Sequence, residues 1–186
     1  FLSDAERLAL VGTARQVSGR LHALAATVAS AVAGSQAAER LGGVPLASWL
    51  AATHRLTRRE AQRLIGQGAD LVRFPDVAQT ALGGTVGFEQ ATAICAVLTR
   101  LPEDFSSAQL AEAEKTMIGH AAEFDSAGLS RLTRRLVELL DPDGCDERDA
   151  TRLDRDLKLA KAARHLTFLP DGHGSVIVKG SLPTLD

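Results

Sequence analysis

Residues 45–74 read PLASWLAATHRLTRREAQRLIGQGADLVRF, and this stretch decides the fold. Pro45 suits the first turn of a helix, and Leu46, Trp49 and Leu50 give that helix one apolar face. His54-Arg55-Leu56 breaks it. Thr57 followed by Glu60 forms a capping box, which marks the start of a second helix. Ala61, Leu64, Ile65, Gly68, Leu71 and Val72 then recur at helical spacing and are expected inside. Arg58, Arg59, Gln62, Arg63 and Gln67 lie on the opposite face. Two helices joined by a tight turn, the second basic at its front, have the outline of a helix-turn-helix. Helix Pro45–Thr53 would brace helix Arg58–Phe74, with Trp49 and Leu64 as the core that fixes their angle.

Upstream, Ser3 and Glu6 form another capping box. A long helix to about Ala33 is expected from Leu8, Val11, Ala14, Val17, Leu21, Leu24 and Val28, which mark its buried stripe. Gly34 is its stop signal, and Leu41-Gly42-Gly43-Val44-Pro45 is a turn. Downstream, a short helix runs from Pro75 to Ala81 and breaks at Gly83-Gly84. Helix Phe88–Leu98 follows, with Ala91, Ile94, Cys95 and Leu98 as its core side. After Leu101-Pro102, Ser106 or Ser107 caps a helix to about Phe124. Another covers about Ala127 to Leu140, with Leu129, Leu132, Leu136 and Leu139 facing inward. Asp141-Pro142-Asp143-Gly144 carries turn residues, and a charged helix fills Asp146 to about Ala163. His165–Leu169 and Ser175–Lys179 flank Pro170–Gly174 as a β-hairpin.

The expectation is therefore a mainly α, multi-helix domain over 1–163, containing a helix-turn-helix-like pair at about 45–74. A small C-terminal β-hairpin over 164–186 would lead into a region absent from this chain. A lone hairpin is marginal in water, so it needs helices, another chain or further strands to cover it. The first residue is Phe1 rather than Met, and the last follow directly on a strand, which reads as a fragment of a longer protein.

Bulk composition narrows the function classes. With 186 residues and 45% hydrophobic side chains the chain has enough material for a real core. Its net charge of −2 excludes a protein that coats nucleic acid over its whole surface, yet allows one basic face. Cys95 lies in an apolar helical run and reads as a core residue. It is far from Cys145, and no disulfide framework is expected, so the default location is the reducing cytoplasm. The run Leu21–Val32 contains His22, Thr27 and Ser30 and falls short of a membrane helix.

The helix that begins at Arg58 carries the strongest functional signal. The dipole at a helix N-terminus disfavours cations, so Arg58 and Arg59 there would be relieved by an anion such as phosphate, which the free N–H groups also attract. Gln62 and Arg63 follow one turn later, and Gln and Arg suit the edges of adenine and guanine. The candidate DNA-binding residues are Arg55, Thr57, Arg58, Arg59, Gln62, Arg63 and Gln67. A solvated face in an Arg-rich protein is the competing reading. Arg131, Arg134 and Arg135 form a second basic cluster, read more simply as surface ion pairs. Asp141, Asp143, Asp146, Glu147 and Asp149 lack calcium-loop spacing, and His22, His54, His120, His165 and His173 lack zinc spacing. No catalytic residue, cofactor or metal is expected.

A set of ordered motifs carries a family resemblance. It comprises Gly43-Val44-Pro45 with Ala47-Ser48-Trp49-Leu50, the run Leu56 to Leu64, and Gly84-Thr85-Val86 with Glu89-Gln90-Ala91. Leu129 to Leu140 with Asp141-Pro142-Asp143-Gly144 follows, and Arg164-His165-Leu166-Thr167, Asp171-Gly172 and Gly180-Ser181-Leu182 close it. Together these resemble the actinobacterial family called domain of unknown function 222, which overlaps a mycobacterial repeat family often found with an HNH endonuclease tail. The chain departs from the family at Gly87, where a small polar cap usually precedes the Glu-Gln-Ala helix. The resemblance implies mobile elements, DNA and transcriptional control.

The sequence thus points to a DNA-binding domain, acting as a transcriptional regulator or as the targeting part of an HNH nuclease-type protein. Its expected partner is double-stranded DNA, with no membrane. A homodimer is expected because one short helix seldom supplies enough affinity alone. The chain contains no Asn, so it cannot form a His-Asn-His centre and should not cut DNA by itself. A helical protein–protein interaction module, or an enzyme fragment lacking its catalytic part, are the alternatives.

Overall fold

Two helices open on the capping boxes written in the sequence, and a third on one of the two serines offered as its cap. In the computed structural model, which describes residues 2–182 apart from the side chains of 143–149 and 152, Ser3 caps α1 (Asp4–Ser35). Thr57 caps α4 (Arg58–Arg73) and Ser106 caps α7 (Ser107–His120) in the same way. Between α1 and α4 lie α2 (Ala37–Gly42) and α3 (Leu46–His54). Between α4 and α7 lie α5 (Pro75–Gly83) and α6 (Phe88–Leu98), and α7 is followed by α8 (Ser126–Ser130) and α9 (Thr133–Leu140). The chain divides into two compact units, Phe1–Leu136 and Val137–Asp186.

The first unit is organised by α4 crossing α1. At Gly68 a Cβ atom would fall 1.9 Å from the carbonyl oxygen of Ala26, so the two backbones meet where only glycine fits. The residues of α1 buried beneath α4 and its neighbours are Ala23, Ala26 and Ala29. This corrects the expected stripe: Leu8, Val11, Val17, Leu21, Leu24 and Val28 are all exposed, between 46% and 75%, and Ala14 is exposed too. Periodicity detects an apolar face but not side-chain size. Backbone contact with α4 demands small residues, so the large ones are left on the outside.

The centre of the unit follows expectation more closely. Ala91, Ile94, Cys95 and Leu98 of α6 are all buried, together with Leu71, Met117 and Leu129. Each large side chain contributes about 1.5–3 kcal/mol. Burial, with Asp70 and Glu114 nearby, pushes the Cys95 thiol up to about 12. Cys95 is accordingly expected to resist thiol reagents at pH 8 in the folded protein and to react on denaturation, as a colorimetric thiol titration would show.

One buried carboxylate was not foreseen. α5 starts at Pro75 with no side-chain cap of its own. Glu114 of α7 supplies one, its Oε1 accepting from the Val77 N–H at 2.9 Å. The other end of α5 is closed from α1: Arg20 Nε donates to the Leu82 carbonyl at 2.9 Å and Gln16 Nε2 to the Gly84 carbonyl at 3.0 Å. Gly84 itself adopts φ +82°, which favours glycine. Glu114→Ala is expected to cost about 2–3 kcal/mol, because it orphans a buried N–H and opens a void. Chemical denaturation would measure it.

Several boundaries differ from the sequence reading. The segment 41–45 is partly helical, since α2 runs through Gly42. The helix capped by Ser106 ends at His120, not Phe124. The single helix expected over 127–140 is two, α8 and α9, broken at Arg131-Leu132. There the Ser130 hydroxyl donates to the Ser126 carbonyl and the Thr133 hydroxyl to that of Ser130, and such bonds compete with the helical ladder. Leu129 and Leu136 are buried as expected, but Leu139 is 66% exposed. Val72 is also exposed, at 60%.

The second unit contains α10 (Pro142–Ala162) and the hairpin β1 (His165–Pro170) and β2 (Val176–Ser181). The turn expected at 141–144 is instead the start of α10, with Pro142 in the first helical position, where its fixed φ is favourable. The strands pair antiparallel, with Phe168 opposite Val178 and Leu166 opposite Gly180. Their turn is tied by Asp171, whose carboxylate accepts from the His173 and Ser175 N–H groups and from the Ser175 hydroxyl. These bonds, that of the Ser175 hydroxyl first, hold its carboxyl below the usual range. Every residue of both strands is exposed. The acidic cluster expected at 141–149 lies mostly outside the described side chains, as does Cys145.

Candidate nucleic-acid interface

α3 and α4 are joined by Arg55, Leu56 and Thr57. Arg55 turns the chain in the left-handed region at φ +56°, a conformation uncommon outside glycine. Leu46 is buried, packed with Ala29 and Ala38, and Leu50, Leu64 and Ile65 join the same cluster. Leu64 thus holds α4 against α3 and α1. Trp49 does not: it is 40% exposed and stands edge-on to the His54 ring at 5.6 Å. A helix this short cannot bury an indole without a further layer above it.

The Thr57 hydroxyl is committed to the cap. It accepts from the Glu60 N–H at 3.2 Å and donates to Glu60 Oε2 at 2.8 Å, while the Thr57 N–H donates to the same oxygen at 2.7 Å. These bonds, the backbone one first, hold the Glu60 carboxyl below its usual range, with help from the charge of Arg63. The Glu60 contribution is therefore full above the ordinary glutamate range and is lost as pH falls through the lowered value. Thr57→Ala is expected to cost about 1 kcal/mol, visible as a lower thermal midpoint. The wild-type advantage should shrink on acidification.

The remaining candidates separate by direction. Arg58, Arg59 and Gln62 are exposed on the outer side of the first two turns, and Arg63 is exposed at the border of that group. Arg73 extends the basic face toward the far end, where its guanidinium lies 5.3 Å from the Phe74 ring centroid. Gln67 is half-buried and, with Arg63, Glu60, His22 and Glu89, lines a cleft of about 480 Å³ beside α1 and α6. Gln67 thus stands apart from the outward-facing set. Among the described residues, no carboxylate comes within 4.0 Å of the guanidinium groups of Arg55, Arg58, Arg59 or Arg63. The acid of the first turn, Glu60, is turned back onto Thr57 and makes no ion pair with them, although its charge is felt by Arg63.

The second basic cluster is divided by the break after α8. Arg131 sits at the end of α8, whereas Arg134 and Arg135 belong to α9. Among the described residues, no group of three His, Cys, Asp or Glu side chains could hold a metal ion. No described helix is long and apolar enough to cross a membrane.

At Gly87, where α6 lacks a polar cap, Gln90 compensates in part. Its Oε1 accepts from the Gly87 N–H at 3.0 Å, while its Nε2 donates to the carbonyls of Ala121 and Phe124 at 2.7 and 2.8 Å. The Glu-Gln-Ala motif is thereby a clasp between the start of α6 and the end of α7.

The family model for a domain of unknown function, DUF222, matches residues 5–184. Two uncharacterised proteins of Mycobacterium tuberculosis are similar, MT1160 of strain CDC 1551 and Rv1128c of strain H37Rv. Each is 29% identical over 174 residues, which is 86% of this chain and 41% or 38% of the relative. The chain thus spans about two fifths of the length of these relatives. No solved structure matches it.

Proposed function

The chain belongs to the DUF222 family, a domain of unknown function, and on that footing we propose that it binds double-stranded DNA through the outer face of α4. The observation that carries this reading is a set of exposed arginines, Arg58, Arg59 and Arg63, with no carboxylate within 4.0 Å among the described residues, the first two of them at the positive end of a helix dipole. Such a cluster costs the isolated helix stability, and a phosphate backbone offsets that cost. Leu64 and the close seat of Gly68 on α1 hold the helix rigidly enough to present this face. Arg58 and Arg59 contact phosphates. Gln62, and Arg63 beside it, reach base edges.

In this reading the domain targets a longer protein to DNA, either to regulate transcription or to direct a nuclease module. Cleavage is assigned elsewhere, since an HNH centre needs an asparagine and this chain has none. Selection from a randomised duplex pool tests the proposal: an enriched motif of a few base pairs supports it, and recovery no better than a bead-only control refutes it. In the same samples, magnesium or manganese should leave supercoiled plasmid uncut.

A further inference from the structure

α1 is apolar on two opposite faces. The inner face is built of small residues, Gly19, Ala23, Ala26 and Ala29, which let α4 and α6 approach. The outer face carries Leu10, Ala14, Val17, Leu21, Leu24 and Val28, at alternating spacings of four and three residues. That is the a/d pattern of a coiled-coil seam. It is unpartnered here, with Leu10 56%, Leu21 59%, Leu24 50% and Val28 52% exposed. A helix that is hydrophobic all round belongs in an interior, and a contiguous apolar patch of this extent marks an interaction site.

The seam does not stop at the end of the helix. Val28 and Val32 also wall an apolar groove of about 790 Å³, completed by Leu41, Leu46, Trp49 and Leu50. Leu41 is 90% exposed at its rim. At the other end of α1, Leu2 and Leu8 are uncovered, at 49% and 75%.

The geometry points to a second copy of this chain as the occupant, docked antiparallel along α1. A seam repeating every 3.5 residues fits a partner with the same repeat, and two copies of one helix meet that condition by symmetry. The positions flanking the seam raise no like-charge barrier: Val11, Ser18 and Ala25 line one side, Thr13, Arg20 and Thr27 the other. The single charge among them, Arg20, is directed to the Leu82 carbonyl. An antiparallel pair centred near Gly19 sets Leu10 against Val28 and Val17 against Leu21 of the other copy. It also brings Leu2 of each copy toward the groove of the other, whereas Leu8 lies on the side of α1 away from the seam. A parallel pair would instead stack Asp4 and Glu6 of both chains at one end and leave both grooves open. If each large side chain loses roughly 100 Å² when covered, the face and groove together offer on the order of 800 Å². One partner in a stable interface contributes about 800 Å². This inference does not rest on DNA binding.

Sedimentation of the 186-residue chain between 1 and 100 μM tests it. The expected result is a dimer. Leu21→Glu with Leu24→Glu should weaken self-association at least 100-fold while leaving helical content by circular dichroism unchanged, because both side chains point away from the core. In a Cys145→Ser background, mixing Val17→Cys with Leu21→Cys protein should give the mixed disulfide in preference to either self-pair. A chain that is monomeric at 100 μM, or a dimer that survives the double Glu variant, overturns the proposal. In those cases the face is covered by another protein or by the remainder of a longer polypeptide. Dominant self-pairing of the Val17→Cys protein overturns the antiparallel arrangement.

Discussion

Gly68→Ala should destabilise the protein by about 3 kcal/mol, and Gly68→Val by more. In a helix interior glycine is normally a weakness, and alanine gains about 0.5–1 kcal/mol. The sign reverses at Gly68 because the added Cβ would lie 1.9 Å from Ala26 O, 2.5 Å from Ala26 C and 2.9 Å from the Ser30 Cβ. Two of these atoms are backbone and cannot rotate away, so α1 and α4 must separate. At roughly 2–4 °C per kcal/mol for a chain of this size, the thermal midpoint of the alanine variant should fall by 6–12 °C. Gly66, two residues earlier on the same helix, has no neighbouring atom within 4 Å of where a Cβ would lie and serves as the control. Gly66→Ala should raise the midpoint slightly. If both alanine variants melt above the wild type, the close approach of the two helices is not the feature that sets the fold.

Arg59→Ala combined with Arg63→Ala should lower affinity for duplex DNA at least 30-fold at low salt, with folding unchanged. Both side chains are exposed and have no carboxylate within 4.0 Å among the described residues, so their removal breaks no close ion pair. Each charge-assisted bond to phosphate or guanine contributes about 1–3 kcal/mol. Removing Arg59, the phosphate contact of the pair, should also flatten the salt dependence by about one unit of slope, while removing Arg63 relaxes base preference. Fluorescence anisotropy with a labelled duplex reads the affinity, and the thermal midpoint verifies the fold. Unchanged affinity would exclude this face. A matching pair, Arg131→Ala with Arg135→Ala, should leave binding nearly intact because the break after α8 separates those residues.

Local signals carried much of this structure. Ser3 and Thr57 cap helices where their partners three residues on predict it, because a capping box is completed within one turn of chain, and of the two serines offered for α7 the structure selects Ser106. The hairpin was legible from the two strand-like runs that flank Pro170–Gly174. Size was the information that periodicity lacked. Alternate faces of α1 are both apolar, and only the closeness of α4 at Gly68 decides which one goes inside. The turn expected before α10 failed for a related reason: Asp-Pro-Asp-Gly suits a turn and a helix start alike, and the sequence on its own does not choose. Glu114 could not be foreseen because the helix start it serves is 37 residues away. Within the candidate interface, the register of Arg58, Arg59 and Gln62 followed from the helical period. The division of Arg63 and Gln67 toward the cleft required the positions of α1 and α6.

The central claim is that α4 presents its arginines to a nucleic-acid backbone, and the salt dependence of duplex binding tests it most directly. With the phosphates met by Arg58 and Arg59 neutralised, the slope of log K against log salt should be about −2. A slope near zero, or no binding at 50 mM salt, would contradict the account and leave the domain as a protein-docking scaffold.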